Sequence, residues 1–282
     1  MKLKYSLTLI FMISILKITA QSGYSIELNT KTIPTEEITK NETSIRFVIT
    51  ENLNKKNKIT NSISYKNTGL KYNLDDFYSA ENKINLNRID NLFKLKHELS
   101  SKTAIEIEAE TVLGFEKKMG FTNANLFGGL NLYYSINPKN NIQIGVKRWS
   151  VFGKAQIYPT LSFLSQLNES TSFEIGFPNT AIKYSNNSRN YFSLTNTFEG
   201  EFYKLYQNKI ISPNLSANKI SFSQMSTVFE YERNVDQNWF MNFQGGYQFN
   251  KKYVLTNSSG ATNFNFNAND GYVFKIGIKY KQ

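Results

Sequence analysis

Thr103-Ala-Ile-Glu-Ile-Glu-Ala-Glu-Thr-Val-Leu-Gly-Phe115 is the stretch whose reading decides the fold. Ile105, Ile107, Ala109, Thr111, Leu113 and Phe115 take one parity, and Glu106, Glu108 and Glu110 take the other. A helix of 3.6 residues per turn would scatter the three glutamates around its surface. A strand, whose side chains alternate between two faces, stacks them in one row opposite an apolar row.

The same period of two recurs along the chain. Apolar rows are Leu126, Leu130, Leu132, Tyr134 and Ile136; then Ile142, Ile144 and Val146; then Phe192, Leu194, Phe198 and Phe202. Further on come Trp239, Met241, Phe243, Tyr247 and Phe249, and last Tyr272, Phe274, Ile276, Ile278 and Tyr280. The alternation predicts strands at 24–31, 43–52, 58–67, 88–99, 103–115, 124–136, 141–152, 156–167, 171–177, 180–186, 190–202, 219–232, 238–249 and 271–281. The segment 219–232 changes phase between Phe222 and Met225, which predicts a bulge there.

Three features favour a membrane barrel over a soluble sandwich. Several strands run well past the five or six residues usual in globular proteins. Aromatic residues gather at strand ends, as in the girdles of membrane barrels: Tyr133 and Tyr134, Trp149, Phe229 and Tyr231, Trp239, Tyr272 and Tyr280. Connections alternate between short ones (53–57, 100–102, 137–140, 168–170, 187–189, 233–237) and mostly long ones (32–42, 68–87, 116–123, 153–155, 178–179, 203–218, 250–270). Short periplasmic turns with longer outer loops have this asymmetry. The expected fold is all-β: an antiparallel up-and-down transmembrane β-barrel of 12–14 strands. Fourteen is preferred. The hairpin 171–186, turning at Pro178-Asn179, is too short to span alone, and twelve strands remain if it is a non-spanning excursion.

The start of the chain points the same way. Lys2 and Lys4 precede an apolar run from Leu7 to Leu16, and Ala20 is followed by Gln21. This is the pattern of a secretory signal peptide over 1–20, cleaved after Ala20, leaving 21–282 as an outer-membrane barrel domain. That segment is too short for a membrane helix, and no later stretch is long and apolar enough for one. The chain has no cysteine, which excludes disulfides and thiolate metal sites. Its net charge of +11 is spread along the sequence, with one small cluster at Lys55-Lys56-Asn57-Lys58. Nucleic-acid binders concentrate charge on one face, so the expected partners are outer-membrane lipid and no nucleic acid. Gly271–Tyr280 resembles the terminal strand read by the outer-membrane assembly machinery, though Lys281-Gln282 follows it.

Thr19-Ala20-Gln21, the Asn/Lys/Ile-rich strands and Ile175-Gly-Phe-Pro-Asn-Thr-Ala-Ile-Lys-Tyr184 together resemble uncharacterised outer-membrane β-barrel proteins of Bacteroidetes-type bacteria. The resemblance implies a barrel and its location. It brings no ligand and no catalytic residue.

The search for chemistry returns little. The single histidine, His97, has no Ser or Thr nucleophile two residues away and falls in the apolar row Phe93, Leu95, Leu99, which predicts an interfacial side chain near a turn. Asp75, Asp76 and Glu81 do not match the spacing of a calcium loop. Gly128-Gly129 and Gly245-Gly246 lack the context of a phosphate loop and mark bends or close packing. No enzyme, metal or cofactor is expected.

The charged rows carry the functional reading. Arg46, Lys94, Lys96, Glu106, Glu108, Glu110, Lys147, Glu199, Glu201, Glu230 and Lys275 alternate with apolar residues, as do Glu232 and Lys279. If the apolar face meets lipid, these residues line the lumen. They then form either a narrow pore for small polar solutes or a set of paired charges filling a structural barrel. In the second case the long loops carry surface interactions, for instance through the exposed aromatics of Asn263-Phe-Asn-Phe-Asn267. An outer-membrane enzyme and a soluble secreted sandwich are the remaining alternatives. One register is predicted in detail. A turn at Ser100-Ser101-Lys102 sets Lys96 opposite Glu106 and Lys94 opposite Glu108 on the lumen side.

Overall fold

The structure, a computed structural model, describes residues 22–72, 83–120, 124–212, 215–257, 260–266 and 268–282. The 1–20 segment and the residues Asp75, Asp76 and Glu81 lie outside it. The strands are β1 (Ser22–Ile33), β2 (Ile38–Asn52), β3 (Asn57–Tyr72), β4 (Lys83–Glu98), β5 (Thr103–Phe115), β6 (Ala124–Asn137), β7 (Asn140–Trp149) and β8 (Gln156–Gln166). They continue with β9 (Thr171–Phe177), β10 (Asn179–Asn187), β11 (Asn190–Ser212), β12 (Leu215–Asp236), β13 (Trp239–Thr256), β14 (Thr262–Asn265) and β15 (Gly271–Lys281). From β1 to β13 each strand pairs antiparallel with the next, β13 pairs with β15, and β15 returns to β1. Fourteen strands therefore close a barrel, with β14 a short addition beside the upper end of β13. Both strands of the 171–186 hairpin are members of the wall, pairing with β8 and β11, so the twelve-strand alternative falls.

The reason for closure is visible in the burial. Ile45, Phe47, Tyr65, Phe93, Ile107, Leu130, Ile144 and Ile276 all point outward and are exposed, Ile107 by 50 %. In water such a surface would be an aggregation site, whereas against hydrocarbon it is the buried face. Aromatic rings border it. Tyr24, Trp239 and Tyr280 cluster near the chain ends, with centroids 5.9 Å (Tyr24–Tyr280) and 5.1 Å (Trp239–Tyr280) apart. Tyr247 and Tyr272 meet at 5.4 Å at the other border. From Tyr272 to Tyr280 the strand covers about 27 Å, or about 20 Å of height at a tilt of about 40°. Tyr133 and Trp149, expected in the girdles, turn inward instead: Lys96 and Lys147 each sit 4.4 Å from their rings. A girdle takes one parity of a strand, and these two residues have the other.

Above the apolar band the amphipathic phase inverts. Thr43, Asn67 and Asn87 are ladder neighbours on β2, β3 and β4. Beyond them Ile38, Leu70, Tyr72, Ile84 and Leu86 turn inward and are buried. Their outward neighbours are polar, among them Asn41, Lys71, Lys83 and Asn85. A strand leaving the membrane meets water outside, so its apolar residues move to the inside. This inversion explains why the strands outrun their sequence-based limits. Residues 38–42, 68–72, 83–87, 203–212 and 250–256, expected in connections, continue the strands.

The longest hairpin, β11–β12, leans inward. Beyond Thr197, the partner of Asn179, β11 leaves β10 and crosses toward β5. There Lys204 pairs in parallel with Phe115, Glu116 N–H donates to Lys204 O at 3.1 Å, and Tyr206 N–H donates to Glu116 Oε2 at 2.8 Å. Gly114 permits this seam, because a Cβ there would lie 2.7 Å from Phe202 O. The wall strands β6 to β8 end beneath the outer face of β11. Phe127 meets Phe202 edge-on at 6.4 Å, and Ser150 Oγ donates to Gly200 O. The bulge expected in 219–232 lies on the partner strand. β12 keeps its phase, and the extra residue falls in β13 beside Asn250, whose φ is 54°.

Candidate functional site

The lumen is the candidate site, and the β4–β5 hairpin shows how it is built. The observed register sets Lys96 opposite Glu106, Lys94 opposite Glu108 and Leu95 opposite Ile107, as the turn at 100–102 predicts. Lys94 keeps its ladder partner and adds a diagonal contact, while Lys96 makes no ion pair with Glu106. Lys94 Nζ lies 3.5 Å from Glu108 and 3.9 Å from Glu106, whereas Lys96 lies over the Tyr133 ring. Tyr133 O–H donates to Glu106 at 3.2 Å. The tilt of long side chains, invisible in ladder pairing, makes the difference.

Glycine then extends the network across a strand. Glu108 on β5, Gly129 on β6 and Lys147 on β7 are successive ladder partners. Gly129 leaves an opening through which Lys147 Nζ approaches Glu108 Oε1 at 2.6 Å. It is a charge contact without the angle of a directed hydrogen bond. A Cβ at Gly129 would sit 2.9 Å from that same oxygen. Gly145 does likewise between Asn131 and Thr160, whose hydroxyl donates to Asn131 Oδ1 at 2.9 Å. Sequence reasoning read Gly128-Gly129 as bends or close packing. The inward parity of Gly129 between two charged neighbours is the signal that finds its role.

Higher up, the network spans the lumen. Lys31 on β1 lies 3.6 Å from Glu42 on β2 and 3.5 Å from Glu199 on β11. Lys66 on β3 pairs with Glu201 on β11, which also accepts from Tyr203 O–H. Arg88 holds Asp90 at 2.6 Å and stands 3.9 Å from Glu110. Nearer the chain ends, Lys275 faces Glu27 at 3.8 Å, Lys279 pairs with Glu232, and Gln244 Nε2 donates to Glu230 at 2.6 Å. Arg46, Lys94, Lys96, Glu106, Glu108, Glu110, Lys147, Glu199, Glu201, Glu230 and Lys275 all have the inward parity. The β11 row reaches across to β1 and β3, the β5 row joins β4 and β7, and Arg46 stays exposed.

Above these ion pairs the lumen is apolar. Tyr203, Leu205, Ile220, Phe222, Tyr253 and Leu255 from the leaning hairpin and β13 pack on Leu70, Tyr72, Ile84 and Leu86. Lys40, 2 % exposed, runs through this core with Nζ 2.8 Å from Glu42 and 4.8 Å from the Phe222 ring. Phe266 and Ala268 cap it. Phe266, expected as an exposed surface aromatic, is 3 % exposed and packs on Tyr72 at 5.9 Å, because its side of the chain faces the core. At the opposite end the lumen opens into two recesses of about 320 and 330 Å³ that share Asn141 and Leu164.

His97 faces outward beside the 99–102 turn, with Nδ1 2.7 Å from Asn57 Oδ1. Among the described residues no group of three His, Cys, Asp or Glu side chains is placed to hold a metal ion.

A closed fourteen-strand wall, an apolar outer band and an ionic interior define an outer-membrane β-barrel. A solved structure of that class shares the fold. The COG4313 outer membrane channel from Pseudomonas putida F1 superposes with a TM-score of 0.55 at 6 % identity, over 95 % of this chain and 98 % of that one. The Ralstonia pickettii toluene transporter TbuX gives 0.48 at 10 % identity, over 94 % and 90 %. No protein-family model matches the sequence, and neither does any curated protein.

Proposed function

We propose that this protein is an outer-membrane barrel that rests shut, with its lumen filled by its own side chains. The observation that carries the reading is the pair of clamps Lys31–Glu199 and Lys66–Glu201, which tie β11 to the opposite wall beneath an apolar core. An ion path needs a continuous wet channel. This lumen has alternating signs that neutralise each other, and above them a dry core. The short turns and chain ends then lie on the periplasmic side, and the water-facing upper barrel lies outside the cell. Leader removal after Ala20 and insertion by the outer-membrane assembly machinery belong to the same reading.

One observation favours a transport role on top of it. The leaning hairpin meets β5 through one ladder pair, Lys204 with Phe115, whereas β13 holds its other side through a long ladder. A seam that slight can part. Parting it would join the open lower lumen to the outside and pass small polar solutes. Swelling of liposomes in arabinose tests both ideas. Wild-type protein leaves the liposomes intact, and Gly114→Val, which pushes β11 off β5, makes them swell. Wild-type swelling contradicts the shut barrel. Absence of swelling with a folded Gly114→Val variant contradicts the seam as a gate.

A further inference from the structure

We infer that the outer face of β3 and β4 is a dimer interface, where a second copy of this chain docks in the plane of the membrane. The observation is a pair of amides on the lipid-facing side of the wall. Asn61 on β3 is the ladder partner of Phe93, and Asn91 on β4 is the partner of Ile63. Both share the face of those outward residues, and both are partly exposed. On the strands that follow, Ile107, Leu130 and Ile144 occupy this face. Carbon there meets hydrocarbon. An amide there has given up water and finds no partner in the lipid.

Depth sharpens the anomaly. Asn91 stands six residues above His97 and four below Asn87, the polar positions that border the band on β4. Those spans are about 20 and 13 Å along the strand, or about 15 and 10 Å of height at a tilt of about 40°. Neither headgroups nor bulk water reach an amide at that level.

The two amides satisfy each other only in part. Asn91 Nδ2 donates to Asn61 Oδ1 and to Ser62 O, both at 3.4 Å, and Asn61 Nδ2 donates to Leu92 O at 3.4 Å. A side-chain amide carries two N–H donors and one carbonyl acceptor. Among the described residues nothing donates to Asn91 Oδ1, and the second N–H of Asn61 has no acceptor. These deficits are complementary. A lipid tail offers neither donor nor acceptor. A second copy turned about a two-fold axis along the membrane normal offers both, because Asn61 of each copy then donates to Asn91 of the other. A two-fold contact of this kind needs a surface that complements itself.

The relief of the surface meets that need. Phe93, 39 % exposed, projects beside Asn61. On its other side Ala109 and then Gly128 continue the ladder and leave a hollow. The ring of one copy fits the hollow of the other, as small residues admit close approach between packed membrane segments. The inference is independent of whether the lumen conducts.

The test is sedimentation equilibrium of the refolded full chain in density-matched detergent micelles. Wild-type protein is expected to show a reversible monomer–dimer equilibrium. The Asn61→Leu, Asn91→Leu double variant, whose face is wholly apolar, is expected to raise the dissociation constant by about 10-fold or more. Ala109→Trp, which fills the hollow, is expected to raise it likewise. Asn196→Leu on β11, where the amide already donates to Thr227 Oγ1 at 2.7 Å, is expected to leave it unchanged. Heat-modifiable migration on gels shows that each variant is folded. Wild-type protein that stays monomeric at every concentration overturns the inference, as does an unchanged dissociation constant in the folded double variant. An Ala109→Trp variant as dimeric as wild type also overturns it, as does equal weakening by Asn196→Leu, which would mark association without a defined face.

Discussion

Lys147→Met is the perturbation that separates a filled lumen from an open one. Lys147 reaches Glu108 at 2.6 Å over Gly129, and the Glu108 side chain is 3 % exposed. At an effective dielectric of about 20, charges at that separation attract by about 6 kcal/mol, and at the 3.5 Å of Lys94 by about 5 kcal/mol. Most of this offsets desolvation. Removing one partner of a buried pair nevertheless costs about 3–5 kcal/mol, because the other charge is stranded. Glu108 keeps Lys94, which is 34 % exposed and free to shift closer, so the loss falls at the low end, about 3 kcal/mol. Glu108→Gln on top of Lys147→Met removes the stranded charge. The double variant is expected to lie about 1 kcal/mol below wild type, so that removing the stranded charge recovers about 2 kcal/mol relative to Lys147→Met. Urea unfolding in detergent micelles, followed by circular dichroism, measures the recovery. A recovery under about 0.5 kcal/mol would mean that both groups are hydrated and screened, as exposed pairs are, and would refute the filled lumen.

Further outcomes follow from the same contacts. Lys94→Glu, which faces two glutamates, is expected to destabilise the barrel more than Lys96→Glu, whose contact is the Tyr133 ring; the reverse order in the same unfolding assay would mean that Lys96 pairs with its ladder partner Glu106. Gly129→Val, driving a side chain into Glu108, is expected to cost about 1–3 kcal/mol, while Gly245→Ala, with open space at its Cβ, costs under about 1 kcal/mol. Because the chain lacks cysteine, single-cysteine labelling reports topology directly. Asn208→Cys is expected to react with an impermeant maleimide on intact cells and Lys139→Cys only after lysis, and reversed labelling would invert the orientation.

The membrane-spanning part of this fold was legible because hydrocarbon outside and charge inside write a two-residue period into the sequence. Thr103–Phe115 was read to the residue, and β15 and the β4–β5 register came out as expected. The upper barrel was missed for a physical reason. Where strands pass into water, Ile38, Leu70 and Leu86 sit on the parity that carries lysine and glutamate lower down. A reader following one phase stops at the inversion and assigns a loop. The site was half legible. Parity alone assigns Glu199 and Glu201 to the interior, but their partners, Lys31 and Lys66, come from strands more than a hundred residues away. Closure of the barrel, and not any local pattern, brings them together. Lys31 and Lys66 themselves fell at or beside the predicted strand ends and were passed over.

Single-channel recording in planar bilayers tests the central claim most directly. Wild-type protein, shown to be inserted by antibody to a tag in 257–262, is expected to give a flat baseline in 1 M KCl across ±100 mV. The Lys31→Ala, Lys66→Ala double variant, which frees β11 from both clamps, is expected to give stepwise openings. Steady open-channel current from the wild-type barrel at low voltage would contradict a lumen closed by its own side chains.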